Sequence, residues 1–184
     1  MDGHEKTGQA WDGVPQDSLK TNRTYNELGL INDGSYYGNQ TDNYTQHYYQ
    51  LFLDHKINSH VSIGTTLYYT KGKGYYEEYK TNQSFANYHL ADPVVGQDTL
   101  HQTDLIRRLW LDNDFYGMRA YINYLSPKLD AGLYLNTQQY LGRHFGEVIW
   151  SEWSIPTGYR WYQLHADKSE QNGYAMMEYR FRPT

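Results

Sequence analysis

The chain has 184 residues, a net charge of −5 and a hydrophobic content of 39%, yet 17% of its residues are aromatic and 21 of these are tyrosines. The aromatic content argues against disorder, and the acidic balance argues against nucleic acid as a partner. The absence of cysteine excludes disulfides and thiolate metal sites. No apolar run is long enough for a transmembrane helix, and no signal peptide follows Met1, so we expect either a cytosolic protein or a piece of a longer chain.

The N-terminal part of the chain predicts a loop followed by a hairpin. Residues 1–41 are rich in Gly, Asn, Asp and Thr and lack a steady period. Apolar and polar residues then alternate with period two in residues 45–57 and again in residues 61–70, with a polar turn at residues 58–60. This pattern predicts a β-hairpin over residues 42–78 with one apolar and one polar face.

The remaining chain predicts the same order of elements twice more. A polar loop covers residues 79–113, and inside it residues 103–110 combine an N-cap residue with helix-like spacing, which predicts a short helix. A second hairpin with a Ser-Pro-Lys turn covers residues 114–142. A third loop covers residues 143–171, and a last strand covers residues 172–184, which gives five strands in all.

Short and long connections alternate strictly along the chain, and this alternation is typical of outer-membrane β-barrels. The apolar faces are short and flanked by tyrosines, as a lipid-facing band with aromatic girdles requires. The fold class expected is therefore all-β, an antiparallel transmembrane β-barrel segment with short periplasmic turns and long extracellular loops. A soluble antiparallel sheet packed on one side gives the same alternation and stays the alternative. Five strands do not close a barrel, so the barrel expected from this chain is incomplete.

The stretch from Tyr68 to Lys80 runs from apolar through aromatic to charged residues. In a barrel, Leu67 is expected as the last lipid-facing aliphatic residue and Tyr69 as part of the outer aromatic girdle. Lys71 and Lys73 are expected at the level of the anionic head-group and sugar layer. The glycine that follows each lysine is expected to let the strand bend as it becomes a loop.

Several segments then stand out as motifs: GQAWDGVP at residues 8–15 with DSLKTNRTYN at 17–26, TDNY at 41–44, KGKGYYE at 71–77, LDNDFYG at 111–117 and HFGEVIW at 144–150. In this order, and over nearly the whole chain, they resemble segments of TonB-dependent outer-membrane receptors of the Bacteroidetes kind. The resemblance implies a 22-stranded barrel filled by an N-terminal plug. It further implies import of a scarce nutrient such as a ferric siderophore, haem or cobalamin, powered by the TonB–ExbB–ExbD complex.

The sequence departs from that family in what it lacks. No plug, no TonB-contacting segment and too few strands are present, and Arg180–Thr184 does not end in the usual terminal aromatic residue. We therefore expect an internal fragment of such a receptor in the outer membrane of a Gram-negative bacterium. Its expected partners are outer-membrane lipid, the remaining strands and plug of the receptor, TonB–ExbB–ExbD through that plug, and a small nutrient ligand.

Neither a metal site nor catalysis is predicted, and no cofactor is expected. His144 with Glu147, and His101 with Asp104, have ligand-like spacing, but nothing in the sequence brings a third ligand to either pair. No nucleophile, metalloprotease or phosphate-loop motif occurs. The adjacent pair Glu77–Glu78 is expected on opposite faces of a strand, where two carboxylates cannot flank one glycosidic bond.

Aromatic and arginine residues of the long loops are the candidates for ligand contact. Aromatic rings enclose apolar ligand faces, and arginine pairs with carboxylate or catecholate oxygens. The candidates are Tyr75, Tyr76, Arg107, Arg108, Trp110, Trp150, Trp153 and Trp161. For each one, the competing interpretation is a girdle or loop-packing residue. The alternative function is a soluble or secreted β-sheet module that binds glycans through exposed Trp and Tyr side chains.

Overall fold

A computed structural model describes residues 1–181 as an all-β molecule. The end of the predicted last strand, residues 182–184, lies outside the described residues. Six strands form one antiparallel sheet in the order β1-β2-β3-β6-β7-β8, and β4 and β5 form a small separate ribbon. The strands are β1 (Asp2–Gly8), β2 (Thr41–Lys56), β3 (Val61–Ser84), β4 (Val94–Val95), β5 (Asp98–Thr99), β6 (Gln102–Leu125), β7 (Leu129–Ser151) and β8 (Tyr159–Tyr179). Short 3₁₀ helices cover Ser18–Lys20 and Phe85–Tyr88. Within residues 1–181, no helix has the length and apolarity needed to cross a membrane.

Both predicted tight turns are confirmed. In the first, the Asn58 side-chain oxygen accepts hydrogen bonds from the backbone N–H groups of His60 and Val61 at 2.8 and 2.9 Å. In the second, the Ser126 N–H donates to the Leu129 carbonyl at 2.8 Å. These side-chain and backbone contacts join β2 to β3 and β6 to β7, so both turns lie at the same end of the sheet.

The strands are longer than predicted, and the helix predicted at residues 103–110 is wrong. This segment is the start of β6, and it pairs with β3 on one side and β7 on the other. Hydrogen-bonded neighbours on both sides override the local helical spacing, because tertiary context outweighs helix propensity. The loops predicted at residues 79–113 and 143–171 shrink for the same reason, and residues 1–41, predicted as loop, include β1 on the edge of β2.

Strand register separates the sheet into two faces with different chemistry. The banded face carries the odd-numbered residues of β2, β3 and β7 and the even-numbered residues of β6, up to the bulges near the strand ends. Starting at the turn end, it shows an aliphatic zone, then a row of tyrosines, then charged residues. The aliphatic zone contains Leu51, Leu53, Ile63, Leu67, Met118, Ile122, Leu133 and Leu135, all of them exposed. The tyrosine row is Tyr49, Tyr69 and Tyr116, which are neighbours on β2, β3 and β6.

The opposite face is the glycine face, defined by the strand glycines that share it. These are Gly64, Gly72, Gly74, Gly117, Gly132, Gly142 and Gly146. A Cβ added at any of them would overlap an aromatic ring, for example the ring of Tyr44 at Gly72 and Gly74. The glycines therefore leave room for aromatic rings to pack against the sheet. The predicted bend at Gly72 and Gly74 is wrong, because β3 continues through both residues as a strand.

The buried core is small and lies at the end with the long connections. Phe85, Tyr88, Leu105, Val148 and Ile155 form it on the glycine face. The segment between β1 and β2 covers the same end of the banded face, where its side chains reach the β3 strand. Among residues 1–181, nothing covers the aliphatic zone near the turns.

Candidate functional site

The eight candidate residues lie mainly on strands, and the register places them in two groups on opposite faces. Trp153 is the exception, in the connection between β7 and β8. Those on the banded face are Tyr75, Arg108, Trp110 and Trp150, and those on the glycine face are Tyr76, Arg107 and Trp161. A single site built from all eight, as extracellular loops would form, is therefore not present.

On the glycine face, Arg107 is held by protein partners. Its Nε donates to Glu78 at 2.8 Å, its Nη1 donates to the Tyr88 hydroxyl at 3.2 Å, and its guanidinium lies 5.9 Å from the Trp161 ring. Burial tends to lower the pKa of Arg107, but the charges and hydrogen bonds of Tyr88 and Glu78 outweigh it and raise that pKa. Arg107 is thus a permanently charged anchor for the Phe85–Tyr88 helix.

On the banded face, Glu77 accepts three hydrogen bonds and joins the β1–β2 segment to the sheet. Tyr37 and Asn39 donate at 2.5 Å each, and Arg108 donates from Nε at 2.8 Å to a side chain that is 2% exposed. Burial raises the pKa of Glu77, yet the donors outweigh it and keep the pKa below its ordinary value. Burial together with the bond to Glu77 raises the pKa of Tyr37 to about 12.

The next row toward the turns is aromatic. Tyr75, Trp110 and Phe145 are cross-strand neighbours on β3, β6 and β7. The Tyr75 and Trp110 ring centroids are 4.6 Å apart, and those of Trp110 and Phe145 are 5.7 Å apart. Arg108 covers Tyr75 at 4.3 Å, and Trp110 Nε1 donates to Glu147 at 3.0 Å. Because Arg108 is tied to both Glu77 and a ring, it is a poor partner for an incoming carboxylate.

A charged row that the sequence-based candidates omit lies between the aromatic row and the tyrosines. Lys71 donates to Asp112 at 2.6 Å and to Asp114 at 2.9 Å, and Arg143 donates to Asp112 at 2.8 Å. A hydrogen bond from the Tyr69 hydroxyl and the nearby Lys71 keep the pKa of Asp114 below its ordinary value. The sequence signal for this row was the alternation of charged residues in the KGKG and LDND motifs. Strand pairing is needed to see that the two motifs are neighbours.

The glycine face holds a half-open cavity of about 530 Å³ nearer the turns. Tyr121, Tyr134, Asn136, Arg119 and Glu170 contribute to its walls. The Tyr134 and Tyr174 rings are stacked with centroids 4.6 Å apart, so aromatic surface borders amide and charged groups. The cavity lining therefore combines aromatic, amide and charged side chains.

The histidine pairs singled out by spacing are not brought together. His144 contacts the Tyr140 hydroxyl on the glycine face, whereas Glu147 accepts from Trp110 on the banded face. His101 lies against Asp92 at 2.5 Å. In the part of the chain that the structure describes, no group of three or more His, Asp or Glu side chains is placed to hold a metal ion.

Glu77 and Glu78 occupy opposite faces, as predicted. Glu77 contacts Arg108 on the banded face, and Glu78 contacts Arg107 on the glycine face. Two carboxylates on opposite sides of a sheet cannot act on the same bond.

Comparison with protein-family models, curated proteins and solved structures finds no match to this chain.

Proposed function

We propose that this chain is a sector of the β-barrel of a TonB-dependent outer-membrane receptor, which takes up a scarce nutrient such as a ferric siderophore, haem or cobalamin. The remaining strands, the plug and the contact with TonB–ExbB–ExbD belong to the rest of that receptor. The observation that carries the proposal is the banded face, with its uncovered aliphatic zone below a tyrosine row. Support for the family comes from the resemblance of the motifs quoted above, several of which lie on the long strands.

The dimensions of the aliphatic zone favour lipid as its solvent. Val61 and Tyr69 are separated by about 27 Å along β3, or by about 21 Å across a membrane at a strand tilt of about 40°. Lipid-facing bands of outer-membrane barrels are about 25 Å tall. Leu67 and Met118, next to the tyrosine row, are 42% and 40% exposed. An aliphatic zone of this extent on a soluble protein would be an aggregation site.

Strand length supports the same proposal. β3 and β6 have 24 residues each, whereas strands of soluble proteins usually have about 3–10. About 9–11 residues of a tilted strand cross a bilayer, so half of each strand projects beyond it. The projecting half carries the charged and aromatic rows, and the long connections lie at its end. The sheet is open at β8 on one side and at β1 and the turn-end half of β2 on the other, and these edges are pairing sites for the neighbouring strands of a closed barrel.

A spin-label experiment tests the lipid-facing assignment. Because the chain has no cysteine, single substitutions Met118→Cys, Arg119→Cys, Ala120→Cys, Tyr121→Cys and Ile122→Cys each give one labelling site. In lipid vesicles, labels at the even positions should be relaxed by dissolved oxygen, and labels at the odd positions by a water-soluble nickel complex. Equal access to the nickel complex at all five positions, with the chain dissolved in plain buffer, would favour the soluble glycan-binding alternative.

The transport part of the proposal is tested in cells. Deleting the receptor that carries this chain should abolish energised uptake of one nutrient among ferric siderophore, haem and cobalamin, and plasmid-borne receptor should restore it. Loss of TonB should give the same defect in cells that keep the receptor. Uptake of all three nutrients at wild-type rates in the deletion strain would contradict the transport proposal and leave the lipid-facing assignment standing.

A further inference from the structure

The banded face carries a surface beyond the tyrosine row that we call the aromatic shelf, consisting of Tyr75, Trp110 and Phe145 with the cations Lys73, Arg143 and Arg160. We propose that the aromatic shelf binds the phosphorylated sugar head group of a glycolipid in the outer leaflet. This inference rests on the proposed function, because it takes the aliphatic zone next to the shelf as the lipid-facing band.

The cations of the shelf have donors available for a ligand. Lys73 lies 5.6 Å from the Trp110 ring and Arg160 lies 4.1 Å from the Phe145 ring. Within residues 1–181, neither of them is in an ion pair. Arg143 is 52% exposed and uses Nη2 alone on Asp112. Guanidinium and ammonium groups beside partly exposed rings suit a sugar phosphate, which has both an anionic group and apolar ring faces.

The carboxylates near the shelf keep their negative charge, but they already accept hydrogen bonds from other side chains. Asp112 and Asp114 accept from Lys71, and Asp112 also accepts from Arg143. Glu147 accepts from the Trp110 indole. In the row above, Glu77 accepts from Arg108, Tyr37 and Asn39. On β8, Asp167 accepts from Gln139. Among residues 1–181, Lys73 and Arg160 therefore keep donors that no carboxylate uses, and these donors complement a phosphate.

The height of the shelf selects a glycolipid over a phospholipid. At a tilt of about 40°, Lys73 lies about 10 Å and Trp110 about 16 Å beyond the tyrosine row along the membrane normal. The head-group layer of a phospholipid bilayer adds only about 5–8 Å to each side of the hydrocarbon. A phospholipid phosphate reaches the level of Lys71 but not that of the rings. Sugars carried by a glycolipid extend to the level of the aromatic row.

Binding of three lipids to the full chain in detergent micelles tests the inference. The probes are a phosphorylated lipid A glycolipid with core sugars, the same glycolipid after dephosphorylation, and phosphatidylglycerol. The variant Lys73→Gln/Arg143→Gln/Arg160→Gln should bind the phosphorylated glycolipid at least about tenfold more weakly, since charged hydrogen bonds are lost. The matched control Lys56→Gln/Lys128→Gln/Lys168→Gln removes equal charge away from the shelf and should bind within about twofold of the unsubstituted chain.

Two further comparisons keep the inference open to refutation. Circular dichroism should show equal strand content in both triple variants, and Phe145→Leu, a milder change, should weaken glycolipid binding without changing that content. The inference fails if the unsubstituted chain does not bind the phosphorylated glycolipid, if the shelf variant binds it equally well, or if phosphatidylglycerol binds as tightly. In each case an intact alternating spin-label pattern would show that the lipid-facing assignment survives.

Discussion

The strand glycines leave space in which aromatic rings pack against the sheet. Tyr44 lies over Gly72 and Gly74, Tyr68 over Gly117, and Tyr121 over Gly64. The hydroxyl of Tyr68 reaches Asn136 and Gln138 two strands away. A side chain at these glycines would lift the rings off the sheet. From sequence, Gly72 and Gly74 are expected to let the strand bend as it becomes a loop, because propensity treats glycine as a strand breaker and carries no information on a ring from the next strand.

Gly72→Ala should destabilise the chain by about 1–3 kcal/mol, the usual cost of overpacking. The added Cβ overlaps only the Tyr44 side chain, so the cost should largely disappear in a Tyr44→Ala background. Gly3→Ala is the matched control, since a Cβ at this strand glycine meets nothing within 4 Å. Chemical unfolding followed by tryptophan fluorescence measures five chains: the parent, Gly72→Ala, Tyr44→Ala, the double variant and Gly3→Ala. Equal costs of Gly72→Ala with and without Tyr44 would refute the role of Gly72 in leaving space for the ring.

Glu77→Gln should destabilise the chain by about 2–3 kcal/mol, because it removes the charge that Arg108 and two neutral donors share in a buried position. Arg108 is partly exposed, which keeps the cost below that of a fully buried pair. Glu5→Gln, on the exposed edge strand, should change stability by less than about 0.5 kcal/mol. The same unfolding measurement compares the two, and indistinguishable midpoints would count against the anchor.

At the scale of elements, hairpins were predictable and strand ends were not. Period-two alternation located β2, the start of β3, and the β6–β7 hairpin with its turn. Beyond the tyrosine row the alternation becomes polar on both faces, and a strand there resembles a loop in sequence. Ion pairs such as Glu78–Arg107 and aromatic pairs such as Tyr75–Trp110 hold those halves together. Such pairs are visible only when the register is known.

Attachment of the β1–β2 segment to the sheet should depend on pH through Glu77 and Tyr37. The folded pKa of Glu77 lies below its ordinary 4.5, so its contribution is complete above that value and is lost as the pH falls through the lowered pKa. The pKa of Tyr37 is raised to about 12, so its contribution is complete below 10.0 and is lost as the pH rises through 12.

Hydrogen exchange of residues 37–41, corrected for the intrinsic rate at each pH, measures this attachment. Protection should be constant from about pH 5 to 9 and should fall on further acidification. The Glu77→Gln variant should have low protection at neutral pH and should lose the acid-side dependence. Protection in the variant that equals that of the parent chain, at every pH, would show that other contacts hold the segment.

At the scale of the whole molecule, one face of the sheet is aliphatic in its turn half and charged and aromatic in its other half. Its buried core is a cluster of five hydrophobic residues under the long connections, and most large apolar side chains are exposed. The sequence indicated this arrangement through low hydrophobic content combined with many tyrosines. It did not indicate the sixth strand, β1, because the polar sequence of β1 pairs through backbone groups on an exposed edge.

Two exposed leucines on the banded face separate a membrane sheet from a soluble one. Leu67 lies in the aliphatic zone and Leu141 lies in the Lys71–Asp114 row, and their exposures are similar at 42% and 38%. If the zone faces lipid, Leu67→Arg should cost about 1–3 kcal/mol, because Leu67 lies between the midplane and the tyrosine row, and Leu141→Arg should cost about 0–1 kcal/mol. In water, both substitutions should be nearly neutral, because each side chain is already solvated. Reversible urea unfolding in phospholipid vesicles measures both costs, and equal costs would overturn the lipid-facing assignment.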